Sequence, residues 1–417
     1  MLMEILVNAI IRKFAVLSIM STYKTTKVSN IILLILLGVI AFSNISVIIL
    51  QNIFRINVVL PELLFFPFVV FLWNTFKEIK VNRAHLLVML IIWVVLFFVG
   101  NSQYSQGSIF THARGFLYIF LFAIIFKEKE TRIDGDTIFY IALGSLIGWF
   151  ASCILGNFMP ESRGFTYGNL LAIPLFLSMS YVKEKKDWFY IGVLLILLIT
   201  FLAGLRRVII VFIASLILVL LVSSFRKNKN RIIPLITLSL FGVVIFSMLD
   251  TIGKVVYDFS PIIYYRVFER TSDSIETTIN SDEERMGNFK YFQDHMFEEL
   301  VPSGFLKTWG DEFGRFNDFP VFQLSYTFGI IISAFILIFI IKCLFASIRK
   351  MRNNDEAYIY VVVTIVMFIL LFLDGSFLVN AYITPFTGLC IGKIILLSKQ
   401  SNLRRYESIS KIINSNS

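Results

Sequence analysis

Twelve apolar runs of 16 to 23 residues follow one another along this chain. A helix of about 20 apolar residues crosses the hydrocarbon core of a bilayer, and lipid offers no hydrogen-bond partner to an open backbone. Each run is therefore predicted to be helical, and the predicted fold class is an all-α integral membrane protein with about 12 transmembrane helices. The runs cover residues 31–50, 58–76, 85–101, 109–126, 137–155, 166–182, 188–203, 206–223, 232–250, 321–343, 357–373 and 380–397.

The composition agrees with this fold class. Hydrophobic residues make up 57% of the 417 residues and charged residues 16%, against about 25% charged residues in a soluble domain. A soluble globular enzyme and a disordered chain are therefore excluded. The net charge of +10 is expected in the cytoplasmic loops of a membrane protein, so no nucleic-acid partner is predicted. The three cysteines lie in apolar runs, without the spacing of a metal site or a disulfide framework.

The cations alternate between successive connections. The set of connections that includes both termini carries 24 Lys and Arg, and the short loops between them carry four. Because cytoplasmic loops hold the excess of Lys and Arg, both termini are predicted to be cytoplasmic. The predicted segments are a cytoplasmic or interfacial N-terminus at 1–30, nine spans in 31–250, one large extracytoplasmic loop with short helices at 251–320, three spans in 321–397 and a cytoplasmic tail at 398–417.

Few cations remain on the predicted outer face. Arg206 and Arg207 begin a span there, after a tight turn at Gly204. Two adjacent guanidinium groups present paired donors that suit a phosphate or pyrophosphate, and snorkelling to the membrane interface is the alternative interpretation. Arg163 is a weaker candidate for the same outer-face role.

Three further basic residues lie inside predicted spans. Arg114, in the run 109–126 near His112, either lines a polar cavity or has a structural partner, because an arginine in a span is costly. Lys342 and Lys393 lie near the predicted cytoplasmic ends of their spans and are interpreted as snorkelling cations.

The long loop contains the remaining candidates. The stretch 282–300 has amphipathic helical spacing. His295, within it, is either a general base or an ordinary exposed histidine. Four cations of the loop could extend a basic surface: Arg266, Arg270, Arg285 and Lys290.

Several enzyme signatures are missing from the sequence. It has no P-loop, no dinucleotide-binding glycine pattern and no zinc motif. The predicted cytoplasmic loops are also too short for a nucleotide-binding domain. An ATP-driven pump on this chain alone is therefore not predicted, and neither is a cofactor or a metal site.

The order of these features resembles the bacterial O-antigen polymerases of the Wzy type and the related O-antigen ligases, which have about a dozen spans and one large outer loop late in the chain. Four segments carry the resemblance: FLAGLRRVIIVFIASLILVLL at 201–221, SDEERMGNFKYFQDHMFEELVPSGF at 281–305, NDFPVFQLSYTFGIIISAFIL at 317–337 and SRGFTYGNLLAI at 162–173. Ligases of this family usually carry a histidine where Asn317 and Asp318 stand, which favours the polymerase.

The resemblance implies a metal-independent glycosyltransferase of lipopolysaccharide biosynthesis in the bacterial inner membrane. Donor and acceptor would both be undecaprenyl-pyrophosphate-linked glycans, and the bilayer and a chain-length regulator protein are candidate further partners. The pyrophosphate would be bound by arginines, which can stabilise the charge that develops on the leaving group. The expected catalytic residues are Asp318, Arg285 and His295, with Asp318 as the candidate base. The expected substrate-binding residues are Arg206, Arg207, Arg163, Arg266, Arg270 and Arg114.

Two rival functions remain open at this point. One is an O-antigen ligase of the same superfamily. The other is a lipid-linked oligosaccharide flippase, which also has about twelve spans but usually shows related halves and lacks so long an outer loop.

Overall fold

The computed structural model describes a set of helices. The described residues are 27–50, 82–103, 109–128, 135–158, 167–182, 186–203, 206–227, 249–259, 264, 287, 289–297, 300–305, 319–374 and 377–415. The helices are α1 (Lys27–Ala41), α2 (Ile45–Ile48), α3 (Arg83–Gln103), α4 (Ile109–Phe126), α5 (Gly135–Phe158), α6 (Ala172–Val182), α7 (Lys186–Ala203), α8 (Arg206–Lys227), α9 (Leu249–Phe259), α10 (Pro320–Phe328), α11 (Ile330–Ile348), α12 (Asp355–Leu370) and α13 (Thr384–Ser415). Residues 289–294 form a further short helix, here called the loop helix.

The described part of the chain is helical and contains no strand, as the apolar runs predict. Among the described residues, three helices are long and apolar enough to cross a membrane, at Arg83–Gly100, Gly135–Gly156 and Ile330–Ile348. Five shorter apolar helices accompany them. The predicted span 58–76 lies outside the described residues, and so does most of 232–250.

Several helix bounds differ from the predicted spans. The run 31–50 is divided by a bend at residues 42–44, between α1 and α2. The run 321–343 is divided at Gly329, which has φ +78° and separates α10 from α11. Uninterrupted apolar composition does not reveal such breaks, because the hydropathy of a residue says nothing about its backbone angles.

Two further differences concern helix length. The helix in the run 166–182 starts only at Ala172, so that α6 has 11 residues. In contrast, α13 continues to Ser415, through the predicted tail 398–417. The segment 377–383, between α12 and α13, is not helical although its apolar side chains are buried.

Glycines bring two pairs of helices into backbone contact. On α1 and α5, a Cβ at Gly38 would overlap the Ile141 carbonyl oxygen, and one at Gly144 would overlap that of Ile35. On α13, a Cβ at Gly388 would lie 2.5 Å from the Ile119 carbonyl oxygen of α4. Small residues that allow such close approach are typical of helix contacts in membranes, where burial of apolar area gives little drive for association.

The bundle has two distinct ends. At one end, the start of α8 meets the end of α12 through Arg207 and Asp374. At the other end, Lys393 of α13 lies 3.3 Å from Glu356 at the start of α12. The chain after α12 therefore turns back at the first end before α13 begins. We call the first end, where Arg207 lies, the Arg207 end.

The last residues of the long connection dock against the helices. The backbone N–H groups of Ser303 and Gly304 donate to the carbonyls of Tyr326 and Thr327 on α10, at 3.0 and 3.3 Å. The N–H of Phe305 donates to the Leu96 carbonyl in the middle of α3, at 3.2 Å. The Phe305 ring is fully buried and lies in the same aromatic cluster as Trp93, His112, Phe116 and Phe328.

Candidate functional site

An ion pair at the Arg207 end defines the candidate site. Arg207 is the second residue of α8, and its Nη1 donates to Oδ1 of Asp374, which follows α12. The Asp374 side chain is 1% exposed and that of Arg207 is 19% exposed. A carboxylate withdrawn from water requires such a partner, because an unpaired buried charge is costly.

An aromatic ring completes the surroundings of the guanidinium. The Arg207 carbon Cζ lies 4.5 Å from the centroid of the Tyr167 ring, within the range of a cation–π contact. Tyr167 belongs to the non-helical stretch before α6 and is 37% exposed. Because a guanidinium has five N–H donors, the ion pair and the ring leave donors that a ligand could use.

The non-helical segment 377–383 is held beside this pair by polar side chains. Asn169 donates through Nδ2 to the Tyr382 carbonyl at 2.9 Å, and the Tyr382 hydroxyl donates to Oδ1 of Asn44 at 2.9 Å. The Tyr382 N–H donates to Oδ1 of Asn380 at 2.9 Å. Backbone that leaves the helix inside an apolar bundle needs such partners, so these hydrogen bonds explain how the segment stays in place. We call Tyr167, Asn169, Arg207, Asp374 and Tyr382 the Arg207 cluster.

Asn169 also has an acceptor that is not satisfied within the described part of the chain. Its side chain is fully buried, and Oδ1 has no hydrogen-bond partner there. A buried amide oxygen without a donor is an uncommon arrangement, and such groups occur at functional sites. Asn169 therefore adds a second polar group to the site, two residues from Tyr167.

The placement of Arg206 and Arg207 has an electrostatic consequence. Both begin α8, and the N-terminus of a helix carries a partial positive charge that disfavours cations and attracts anions. Helix stability does not explain two arginines at this position. Asp374 offsets part of the repulsion between the arginines and the helix N-terminus, and an anionic ligand would offset more.

Two of the other predicted residues are described but lie in different surroundings. Arg114, on α4, is half-buried and precedes Gly115, where a Cβ would overlap the Leu378 carbonyl oxygen. It is therefore next to the contact between α4 and the segment 377–383. His295 makes its contacts within its own helical turn, with Nδ1 2.9 Å from the Tyr291 carbonyl and the two rings stacked at 4.1 Å.

The remaining predicted site residues are not placed by the structure. Arg206 is described only as the first residue of α8, without its side chain. Arg163, Arg266, Arg270, Arg285 and Asp318 lie outside the described residues. Within the described ranges, no three His, Cys, Asp or Glu side chains are grouped so that they could hold a metal ion.

Two residues of the Arg207 cluster, Asp374 and Tyr382, are not predicted from the sequence. Asp374 ends the apolar run 357–373, and a carboxylate at that position is a signal, because acids beside a span usually have a partner or a function. Tyr382 carries no such signal, since its role depends on a backbone conformation that its sequence context does not reveal. The interpretation of Lys393 as a snorkelling cation was wrong, because its side chain is 5% exposed and is paired with Glu356.

No protein-family model and no curated protein matches this chain.

Proposed function

We propose that the chain is a glycosyltransferase of the bacterial plasma membrane, with many spans, that polymerises O-antigen or a related surface polysaccharide. It would join oligosaccharide repeat units that are linked to undecaprenyl pyrophosphate. The Arg207 cluster is the observation that carries the proposal. It offers a guanidinium at a helix N-terminus, fixed by a buried carboxylate, at one end of an apolar helix bundle.

The chemistry required suits an arginine site. In the proposed step, a hydroxyl oxygen of the acceptor sugar attacks the anomeric carbon of the donor glycan, and the bond from that carbon to the pyrophosphate oxygen breaks. A base takes the hydroxyl proton, and the lipid leaves as a pyrophosphate. Arginine donors that are already oriented stabilise the negative charge as it develops on this leaving group. The energy for bond formation is present in the donor, so the reaction needs no ATP.

We assign the following roles to members of the Arg207 cluster. Arg207 binds the pyrophosphate with the donors that Asp374 does not use, and Arg206 joins it at the same helix end. Asp374 is a positioning residue, since its carboxylate is committed to Arg207 and is withdrawn from solvent. The hydrogen bond from Asn169 to Tyr382 fixes the segment 377–383 against the non-helical stretch before α6.

The other predicted roles are kept as part of the proposal. Asp318 remains the candidate base. It precedes Val321 by three residues in the sequence. The Val321 N–H donates to the carbonyl of Leu371, which precedes Asp374 by three residues. Arg285 is assigned to the pyrophosphate or the glycan, and Arg163, Arg266, Arg270 and Arg114 to a basic surface around them. His295, whose contacts are local, is the second candidate base.

Deletion of the gene in its source strain tests the function. Loss of a polymerase leaves single repeat units on the final acceptor. Lipid-linked polymer that is never transferred would indicate a ligase instead, and repeat units that never reach the outer face would indicate a flippase. Either result would overturn the proposal.

Complementation of the deletion strain tests the site. We expect Arg207→Ala and Arg207→Lys to fail to restore long polymer, because Lys lacks the paired planar donors of Arg. Arg352→Ala is the matched control, an exposed arginine before α12 at the opposite end of the bundle, and should restore polymer fully. Equal amounts of each variant must be present in the membrane. Long polymer from Arg207→Ala would remove Arg207 from the site.

A further inference from the structure

We propose that residues 296–297 and 300–305, here called the segment, enter the outer leaflet of the bilayer as a lipid-contacting anchor, with Phe297 and Val301 at the boundary between headgroups and acyl chains. The proposal rests on the chain spanning a membrane and is independent of glycosyl transfer. It concerns the end of the long connection, where that connection rejoins the bundle.

The depth of Phe305 is the first argument. Its N–H donates to the carbonyl of Leu96, which lies 13 residues after Arg83 at the start of α3, or about 20 Å along the helix axis at 1.5 Å per residue. The hydrocarbon core is about 30 Å thick. If α3 spans the bilayer, the backbone at Phe305 therefore lies below the membrane surface, within the depth of the hydrocarbon.

The position of Leu300 is the second argument. A Cβ at Gly329 would lie 2.6 Å from the Leu300 carbonyl oxygen, so Leu300 is level with the start of α11. The 19 residues of α11 extend about 28 Å, close to the thickness of the hydrocarbon. Leu300 therefore lies near one hydrocarbon boundary, and the chain descends from it to Phe305.

The backbone of this segment is suited to that depth. Non-helical backbone is tolerated inside a membrane only where protein satisfies its polar groups. The N–H groups of Ser303, Gly304 and Phe305 all donate to carbonyls of α10 or α3. Gly304 has φ +82°, and a Cβ there would overlap the Gly100 nitrogen, so a glycine is needed for the approach to α3.

The side chains before this descent are apolar and exposed. Phe297 is 79% and Val301 69% exposed, and Met296 and Leu300 are each 41% exposed. Large apolar side chains grouped in this way on a surface mark an interaction site. The preceding turn of the loop helix has polar exposed residues instead, including Gln293 and Asp294.

Continuity with the bundle identifies lipid as the occupant. Leu300, a member of the apolar group, contacts Gly329, and Phe305, which follows the group, donates to Leu96 of α3. Exposed apolar side chains follow both contacts along the helices: Phe98, two residues after Leu96 on α3, is 66% exposed, and Ile331, two residues after Gly329 on α11, is 54% exposed. The faces of α3 and α11 that meet the acyl chains thus continue into the segment.

The sequence between Phe297 and Leu300 argues against a position of the apolar group deep in the membrane, because it contains Glu298 and Glu299. Carboxylates are costly in hydrocarbon. At the headgroup boundary, apolar side chains can enter the acyl region while charged ones stay in the polar layer. Phe297 and Val301 are therefore assigned to the headgroup boundary rather than to the membrane centre.

Spin labelling of the full chain in phosphatidylcholine and phosphatidylglycerol vesicles tests this placement. Phe297→Cys and Val301→Cys would each carry a nitroxide, whose collision rates with oxygen and with a water-soluble nickel chelate are compared. Gln293→Cys is the aqueous control, and Phe335→Cys, at a 68% exposed position of α11, is the lipid control. The native cysteines are buried and stay in place, with the unsubstituted chain as the labelling blank.

We expect the ratio of oxygen to nickel collisions at residues 297 and 301 to exceed that at residue 293 severalfold and to approach that at residue 335. A ratio equal to that at residue 293 would place the segment in water and overturn the proposal. Low collision rates with both reagents would show that protein covers these positions, and would also overturn it. Both labelled positions are exposed, so the substitutions remove no core contact.

Discussion

The Arg207 guanidinium donates to the Asp374 carboxylate across 167 residues of sequence, and the acid is almost completely buried. The pair joins the start of α8 to the end of α12. Removal of one partner would leave the other as an uncompensated charge, whereas removal of both would not. Stability and function can therefore be separated at this pair.

The first prediction concerns Asp374. We expect Asp374→Ala to lower the free energy of unfolding by about 3 kcal/mol, because Arg207 is left without its carboxylate. The double variant Arg207→Met with Asp374→Leu should recover most of that loss, yet should make no long polymer. Thermal unfolding in detergent reports the first effect and complementation the second. Unchanged stability of Asp374→Ala would contradict the structure, and polymer from the double variant would contradict the proposed role of Arg207.

Gly304 provides a second prediction, with Gly287 as its control. A side chain at Gly304 requires a left-handed backbone, which costs about 1–2 kcal/mol for an L-residue, and it would also overlap Gly100. A Cβ at Gly287 would meet nothing within 4 Å. Gly304→Ala should therefore lower the unfolding temperature, and Gly287→Ala should leave it unchanged or raise it. Similar effects of both substitutions would argue against the docked conformation of the segment.

The third prediction compares Phe305 with Phe297. The two phenylalanines are eight residues apart but differ in burial. Phe305 is fully buried and Phe297 is 79% exposed. Phe305→Ala should cost about 3–5 kcal/mol through lost contacts and the cavity it leaves. Phe297→Ala should change stability by less than about 0.5 kcal/mol. Denaturation of both variants in the same detergent gives the two losses of stability. A larger loss for Phe297→Ala than for Phe305→Ala would contradict the burial of the two rings.

Lys393 and Glu356 give the fourth prediction. The lysine is 5% exposed and the glutamate 54% exposed, with 3.3 Å between Nζ and Oε1. Lys393→Met keeps the length of the side chain and removes a buried charge, so it should be neutral or stabilising. Glu356→Ala should cost about 1–3 kcal/mol, because it leaves the buried Lys393 ammonium without its carboxylate. A larger loss for Lys393→Met than for Glu356→Ala would show that the lysine is needed in its charged form.

Hydropathy was sufficient to predict that the described part of the chain is helical, but not where its helices are interrupted. Apolar composition predicted helices such as Ile109–Phe126 with their observed bounds, because a helix in lipid needs little beyond length and apolarity. The breaks at residues 42–44 and at Gly329 were not predicted. Each depends on tertiary contacts, such as the contact of Gly329 with Leu300, which a reading of one segment at a time cannot provide.

The candidate site was predicted in part for a similar reason. Arg207 was found because a cation on the predicted outer face departs from the charge pattern. Asp374 was missed because single acids beside spans are ambiguous without knowledge of which helix ends meet. Its partner, Arg207, lies 167 residues earlier in the sequence, and that pairing is set by the arrangement of the whole bundle.

The hydrogen bonds of Tyr382 have a consequence for biosynthesis. Asn44 and Asn169 emerge from the ribosome long before Tyr382, and the segment 377–383 cannot form its bonds until both are in place. During synthesis these two hydrogen bonds can therefore form only after the segment 377–383 has been made, so the candidate site is completed late. A ribosome that stalls before residue 374 would leave an inserted but incomplete protein, a natural substrate for membrane proteases.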